Sequence, residues 1–322
     1  MKKCQQAEAC IPLFLKTRSY NQLALSHSSP QTLLTAWNLR PVKQRGQNFL
    51  KESSTAEMIV VRSALSQEDI VLEIGAGLGA LTVPLAKRVR KVYALEKDSR
   101  LIKLLKTELL VHQCNNAVVL CDDILKVGID LLATENKRNL VIAGNLPYNI
   151  SSQILVRLIH NRQFIDRAIL MFQTEMARRI TALPGSKIYG RLTPMLRYCA
   201  DTTIIANIKA QMFYPKPRVD SQVLAINFHR NPQYPARDEA LLFQVIKAAF
   251  GKRRKTLKNS LSGSQLHIAS NNDSTEKNLQ VDATTAQYFL EQSGIDPQRR
   301  AETLSVEEFV KLSDCVKEYI IG

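Results

Sequence analysis

Four apolar runs in the first half of the chain each end on a glycine, a carboxylate or an amide. IVLEIGAG (70–77) runs into a glycine loop, KVYALE (91–96) ends on Glu96, AVVLCDD (117–123) on Asp122 and Asp123, and LVIAGNLPY (140–148) passes through Asn145. Short, continuous apolar runs rich in β-branched residues read as buried strands. Helix patterns lie between and after them, at ALTVPLAKRV, SRLIKLLKTELLVH and SSQILVRLIHN, and MIVVRSAL precedes the first run as a further helix. AILMFQTE adds a fifth strand that leads into a helix at MARRITAL. Strand and helix in alternation predict an α/β fold, a mostly parallel sheet with helices on both faces. In such a sheet the ligand crevice lies outside the carboxyl ends of the strands. The four polar strand ends are therefore expected to meet in one place.

The texture changes toward the C-terminus. TTIIANI and FYPKPRVDSQVLAINFH read as further strands, with Pro215 and Pro217 in a loop that feeds an edge strand. NPQYPARDE, near residue 230, reads as a linker. Beyond it only helix patterns are expected, in LLFQVIKAAFGKRRKTLKNSL, ATTAQYFLEQSG and SVEEFVKLSDCVKEYI, while SGSQLHIASNNDSTEKN is expected to be a mobile polar connection. This gives an N-terminal extension over 1–36, an α/β domain over 37–230 and a small all-helical domain over 231–322. The extension carries Lys2, Lys3, Lys16 and Arg18 against Glu8, and Pro12 interrupts its short apolar piece IPLFL. It is expected to be disordered; an organelle presequence or an early start are the other readings of it.

Charge narrows the partners. A formal net charge of +15 favours a polyanion, with nucleic acid first and acidic membrane surfaces second. No apolar run approaches the roughly 20 residues of a membrane span. Cys4, Cys10, Cys114, Cys121, Cys199 and Cys315 form no CxxC pair, and the histidines form no HxxxH. Neither a metal site nor a disulfide framework is expected, and free thiols in a reducing cytoplasm are the default.

The strand ends suggest a ligand. Gly75, Gly77 and Gly79 have the spacing G-x-G-x-G, which departs from the dinucleotide fingerprint and excludes a P-loop. Taken alone, such a loop is as readily structural punctuation as a ligand loop. Downstream, however, Glu96 is placed to accept from ribose hydroxyls and Asp122–Asp123 from an exocyclic amine. One acid at a strand end is usually just solvated; four strand ends in register are harder to dismiss. S-adenosylmethionine suits this set better than NAD.

GNLPYN (144–149) can then serve a nucleobase. The lone pair of an adenine amine is delocalised into the ring. The Asn145 oxygen and the Leu146 carbonyl can draw it out by accepting both amine hydrogens. Pro147 stiffens the turn without a competing N–H, and Tyr148 offers a face for stacking. No general base is required, and the work is orientation plus hydrogen bonding. The plainer reading is a strand-ending turn with Tyr148 packed against the body.

KQRGQNFL (43–50), EIGAGLGALT, ALEKD, CDDILK, GNLPYNIS, FQTEMARRI, YGRLTPML, MFYPKPRVDS and AAFGKRRKTLKNSL occur in this order. Together they resemble the KsgA family of ribosomal RNA adenine dimethyltransferases, over roughly residues 43–320. The resemblance implies a class I, Rossmann-like methyltransferase domain followed by a small helical domain. It implies transfer of four methyl groups from S-adenosylmethionine to two adjacent adenines near the 3′ end of 16S rRNA, within an immature small ribosomal subunit, by a cytoplasmic monomer. It places Asn48, Leu50, Gly75, Gly77, Glu96, Asp123 and Asn145 at the cofactor, and Asn145, Leu146, Pro147 and Tyr148 at the target base. Ala76 departs mildly from the G-P-G common among bacterial relatives. Phe172 is a candidate to flank the base, though a core role fits it better.

Lys252, Arg253, Arg254, Lys255 and Lys258 form a run without an acid, flanked by Phe250, Leu257 and Leu261 at core spacing. Such a run is often only a solvated face, but here it is expected to bind phosphate backbone. Three alternatives stand beside the 16S reading: a 23S methylase of the macrolide-resistance type, a DNA adenine methylase, and a non-catalytic RNA-binding factor of the same fold. Leu146, where DNA enzymes tend to carry proline, argues against DNA. The intact Glu96, Asp123 and NLPY argue against a non-catalytic factor.

Overall fold

The computed structural model describes residues 29–252, 254–268 and 277–321. The N-terminal elements are α1 (Pro30–Ala36), β1 (Phe49–Leu50) and α2 (Ser53–Arg62). The alternation follows: β2 (Ile70–Ile74), α3 (Thr82–Ala86), β3 (Lys91–Leu95), α4 (Ser99–Val111), β4 (Ala117–Leu120), α5 (Ile129–Asn136), β5 (Leu140–Asn145), α6 (Ser151–His160) and β6 (Ile165–Gln173). Next come α7 (Thr174–Ile180), α8 (Leu192–Cys199), β7 (Ala200–Ile208), β8 (Phe213–Tyr214) and β9 (Ser221–Phe228). The C-terminal elements are α9 (Glu239–Ala249), α10 (Leu257–Leu261), β10 (Gln265–Ile268), β11 (Lys277–Gln280), α11 (Ala283–Gln292) and α12 (Val306–Ile321).

The main sheet has the order β4-β3-β2-β5-β6-β9-β7. The pairs β3–β4, β2–β3, β2–β5 and β5–β6 are parallel, as the alternation predicts. Every residue of β2 is buried, as in a strand covered on both faces. Register decides what the strands deliver. Ile74 pairs with Leu95 and with Gly144, and Leu95 pairs with Leu120. The residues that follow these rows stand at the carboxyl ends of the strands, Gly75 and Glu96 just beyond β2 and β3 and Asn145 as the last residue of β5. Gly144 is obligatory at this point: a Cβ there would lie 2.6 Å from the Ile74 carbonyl oxygen.

The chain divides into two compact units. Among the described residues, the first comprises those up to Ile154, Phe164–Gln173 and Ile204–Ala225; the second comprises Leu155–Gln163, Thr174–Thr203 and those from Ile226 onward. The core of the first joins Val71, Val92 and Val141 of the central strands to Ile59 and Val60 of α2 and Leu105 and Leu109 of α4. A satellite cluster joins Leu34 of α1 to Phe49, Leu78, Leu101 and Leu104.

That cluster corrects the reading of residues 1–36 as a disordered extension over its last part. The Ser29 hydroxyl accepts the Thr32 N–H at 3.2 Å, Pro30 occupies the first turn, and Leu34 is buried, so a capped helix begins here. Residues 1–28 lie outside the described residues.

The C-terminal region is helical, with one addition. Where only a mobile polar connection was expected, β10 and β11 form an antiparallel hairpin in which Gln265 pairs with Gln280 and Leu266 with Leu279. Leu266 is buried between exposed Gln265 and His267, the period-two pattern of a half-buried strand. The Gln244 side chain of α9 donates to the His267 carbonyl and accepts its N–H, both at 2.8 Å. It thereby satisfies a strand edge that would otherwise be open. Phe172 is wholly buried, in keeping with the core role.

Candidate active site

A cavity of about 260 Å³ opens at the shared strand edge. It is lined by Asn48, Leu50, Gly75, Gly77, Glu96, Asp123 and Asn145, all seven candidates for cofactor contact, and also by Pro147. Leu146 and Tyr148 stand outside its wall. Leu146 is buried, so its side chain is withheld from a ligand. Tyr148 is half-buried, its hydroxyl hydrogen-bonded to the Ser221 hydroxyl at 3.0 Å, which fixes the ring. Burial pushes the phenol above its ordinary pKa.

The loop after β2 needs its glycines. Gly75 and Gly77 have φ of +73° and +57°, in the left-handed region. A Cβ on Gly77 would also stand 3.1 Å from the Phe49 ring. The Gly77 N–H donates to Glu96 Oε2 at 2.9 Å, and the Asp98 N–H donates to Oε1 at 2.7 Å. Each Glu96 oxygen is thus oriented by a backbone donor and retains a lone pair for a ligand. Burial raises the Glu96 pKa, and these two N–H groups oppose the shift. Lys97 Nζ lies 2.7 Å from Asp123 Oδ2, and the Leu125 N–H donates to Oδ1 at 3.0 Å. Lys97 is the main reason the Asp123 carboxyl stays below its usual range. Asp122 accepts the Asp123 N–H at 2.6 Å and lines the same cavity.

Asn145 is fixed by one bond. Its Nδ2 donates to the Asn48 carbonyl at 2.8 Å. A carbonyl only accepts, so the contact selects one orientation of the amide. Oδ1 is left as an acceptor, with no donor bonded to it among the described residues. The segment carrying Asn48 forms a strap over the cavity. At one end β1 pairs with β8; farther along, Asn149 Nδ2 donates to the Gln44 carbonyl at 3.3 Å.

Two further acids line the cavity and were absent from the candidates read in the sequence. Glu73, in β2, is 1 % exposed, and its Oε2 lacks a hydrogen-bond partner, as does the nearby Thr82 Oγ1. Burial raises the Glu73 pKa to about 7; the Thr82 hydroxyl opposes the rise and Glu96 adds to it. Asp98 is also 1 % exposed, but it is bonded to Arg45, Gln47 and Arg100. Hydrogen bonds from Arg100 hold its carboxyl far below the usual range. Both fall inside motifs of the sequence, Glu73 opening EIGAGLGALT and Asp98 closing ALEKD, but the residues alone give neither a role.

A family model described as "Ribosomal RNA adenine dimethylase" matches residues 39–318. The chain belongs to this family. It is 46% identical over 287 residues to a protein named ribosomal RNA small subunit methyltransferase A from Desulforapulum autotrophicum, covering 89% of this chain and 96% of that one. It is 38% identical to a protein of the same name from Clostridium botulinum, covering 86% and 94%. A dimethyladenosine transferase from Plasmodium falciparum has a similar solved structure, with a TM-score of 0.67 and 27% identity over 84% of this chain and 98% of that one. The 23S rRNA methyltransferase ErmE, 22% identical with a TM-score of 0.58 and coverage of 84% and 99%, shares the fold. Family and fold imply use of S-adenosylmethionine. Among the described residues, no helix is long and apolar enough to cross a membrane.

The cavity suits that cation-bearing molecule. Glu96, Asp98, Asp122 and Asp123 line it against Arg45 and Lys97, so the balance of formal charge is negative even without the buried Glu73.

The candidate RNA-binding run of this family member is less uniform than its sequence. Lys252 Nζ donates to the carbonyls of Asn259, at 3.1 Å, and Ser262, at 2.7 Å. Lys258 Nζ donates to Gln287 Oε1 at 2.7 Å. Arg254 and Lys255 are exposed, with no ion pair among the described residues. Arg253 lies outside the described residues.

Proposed function

We propose that the protein dimethylates the N6 amines of two adjacent adenines near the 3′ end of 16S rRNA in an immature small ribosomal subunit, acting in the cytoplasm as a monomer. The observation that carries the reading is the Asn145 amide, whose donor side is tied to the Asn48 carbonyl while its Oδ1 stays open on the cavity wall. S-adenosylmethionine, when bound, supplies the methyl group. Glu96 and Asp123 are the acceptors for its ribose and adenine, with Asn48, Leu50, Gly75 and Gly77 completing the wall.

Asn145 Oδ1 and the Leu146 carbonyl accept the two amine hydrogens of the target adenine. This localises the nitrogen lone pair toward the methyl donor. Pro147 holds the turn, with its carbonyl accepting the Ile150 N–H at 3.2 Å, and the Tyr148 ring, held by Ser221, is the stacking face. The amine proton becomes acidic only as the new bond forms, so no strong base is needed beside it. Arg254 and Lys255, with Arg253, contact phosphate and position the RNA rather than read its sequence.

The test is methyl transfer from labelled S-adenosylmethionine to small subunits that lack the modification, with Asn145→Ala beside the parent. The parent is expected to label 16S rRNA, and the variant to lose at least about a hundredfold in rate. Label in 23S rRNA instead, or a fully active variant, overturns the reading. The small-subunit name shared by the curated relatives supports 16S over 23S rRNA.

A further inference from the structure

Asp98 touches three parts of the site at once. Its backbone N–H orients Glu96 Oε1 at 2.7 Å. Its side chain caps α4, accepting the Arg100 N–H at 3.2 Å and the Arg100 guanidinium at 2.9 and 2.6 Å. On the opposite side it accepts Gln47 Nε2 at 3.0 Å and pairs with Arg45 at 2.9 Å. Gln47 spends its other polar atom inside the strap, where Oε1 accepts the Val42 N–H at 2.8 Å. An N-cap needs only one of these contacts. A carboxylate that is 1 % exposed and serves two arginines and a glutamine is placed to fix something besides its helix.

The strap continues from this anchor to the amine side. Gln47 is followed by Asn48, whose carbonyl holds Asn145 Nδ2 at 2.8 Å, and the Gln44 carbonyl holds Asn149. Residues 44–48 therefore bridge the loop after β3, where the ribose carboxylate stands, and the loop after β5, where the amine acceptor stands. Between the bridgeheads they pass close over Pro147 and Tyr148: a Cβ on Gly46 would lie 3.5 Å from Pro147 Cα and 3.4 Å from the Tyr148 nitrogen.

We propose that Asp98 is a positioning residue that anchors the strap of residues 42–50 and thereby couples cofactor binding at Glu96 to the orientation of the Asn145 amide. This rests on the function proposed above. Asp98 touches no reacting atom. It acts through Arg45 and Gln47 on the strap, and the strap acts through the Asn48 carbonyl on Asn145. Occupancy of the ribose site stiffens the strap, and the stiffened strap holds Oδ1 ready for the amine.

Three variants separate this role from helix capping. Asp98→Asn weakens both sides of the anchor. The double variant Arg45→Ala, Gln47→Ala removes the strap side, at two residues that also line the cavity, and Arg100→Ala removes only a helix-side partner. Binding of S-adenosylmethionine by calorimetry, amide hydrogen exchange across residues 42–50 with and without S-adenosylhomocysteine, and kcat at saturating cofactor are measured for each. The double variant is expected to bind cofactor about tenfold more weakly, to exchange faster across 42–50, and to keep a kcat about tenfold low at saturation. Asp98→Asn should do the same. Arg100→Ala should lower the melting temperature with cofactor affinity and strap exchange near the parent. Parent-like exchange and affinity in the double variant overturn the anchor, and full recovery of kcat at saturating cofactor overturns the coupling. A parent that binds no cofactor overturns the functional reading itself, and this inference with it.

Discussion

Charged side chains are held in opposite ways in the cavity and in the basic run near residue 255. In the cavity, Glu96, Asp98, Asp122 and Asp123 each accept a backbone N–H or a cationic partner, and Glu73 alone keeps an unpartnered oxygen. In the run, Lys252 and Lys258 are drawn onto protein acceptors, while Arg254 and Lys255 point into solvent. Under the proposed function, the difference follows from what each region recognises. A small ligand with defined polar atoms rewards acceptors fixed in advance. A phosphate backbone rewards mobile positive charge, and side chains already engaged by the protein contribute little to it.

The largest effect is expected where a fixed acceptor loses its orientation. In Glu96→Gln, an NH₂ group must face either the Gly77 or the Asp98 N–H, so one donor meets another. Cofactor affinity should fall by about a hundredfold, read by calorimetry, since a buried donor is left unpaired and the ligand loses an acceptor. An affinity within threefold of the parent, about 0.6 kcal/mol, would show that the cavity acids are not organised as described.

Glu73 tests the one cavity acid without a complete set of partners. Its folded pKa of about 7 lies above its ordinary value of 4.5, so the folded state binds more protons than the unfolded state between these values. Its contribution to stability is present in full below about pH 4.5 and is lost as pH rises through 7, with a ceiling of roughly 3 kcal/mol. Glu108 on α4, raised to about 7 by burial, acts with the same sign. Thermal melts of the cofactor-free parent at pH 5 and pH 8 should show this loss, and Glu73→Gln should remove about half of it. An unchanged difference between the two pH values in the variant would mean that Glu73 does not titrate there.

These contrasts also show how far the residues alone reveal the site. Gly75, Glu96, Asp123 and Asn145 were legible because parallel register brings consecutive strand ends to one edge, and their runs announce those ends. Glu73 was not, because inside an apolar run an acid reads as part of the strand, and only burial exposes its lack of partners. Asp98 has no role legible in the sequence because its links to Arg45 and Gln47 span about fifty residues, which no local pattern encodes. The β10–β11 hairpin was hidden by polar neighbours, although QLHI alternates correctly. Helix α1 carried a legible Ser-Pro start, but its apolar face has meaning only against Leu101 and Leu104 of α4. The basic run gave the identities of its charges without their availability.

Availability can be measured. Replacing Arg254 and Lys255 with alanine should weaken binding to small-subunit RNA and reduce the slope of log affinity against log salt by about 2, with little change in the melting temperature. Because both side chains are exposed, nothing in the fold depends on them. An unchanged slope would move the RNA contact elsewhere on the protein.

The smallest effect is the sharpest control on the contrast. Lys252 belongs to the same run and carries the same charge as Lys255, but its ammonium joins the carbonyls of Asn259 and Ser262 at the end of α10. Carbonyls left over at a helix C-terminus need donors, and a cation there also meets the negative end of the helix dipole. Lys252→Met keeps most of the aliphatic stem and removes only the ammonium. The melting temperature should drop by about 2 °C, and the salt slope should change by less than about half a unit. If the slope instead falls by a full unit with no loss of stability, Lys252 leaves its carbonyls for phosphate when RNA arrives, and the run acts as one surface after all.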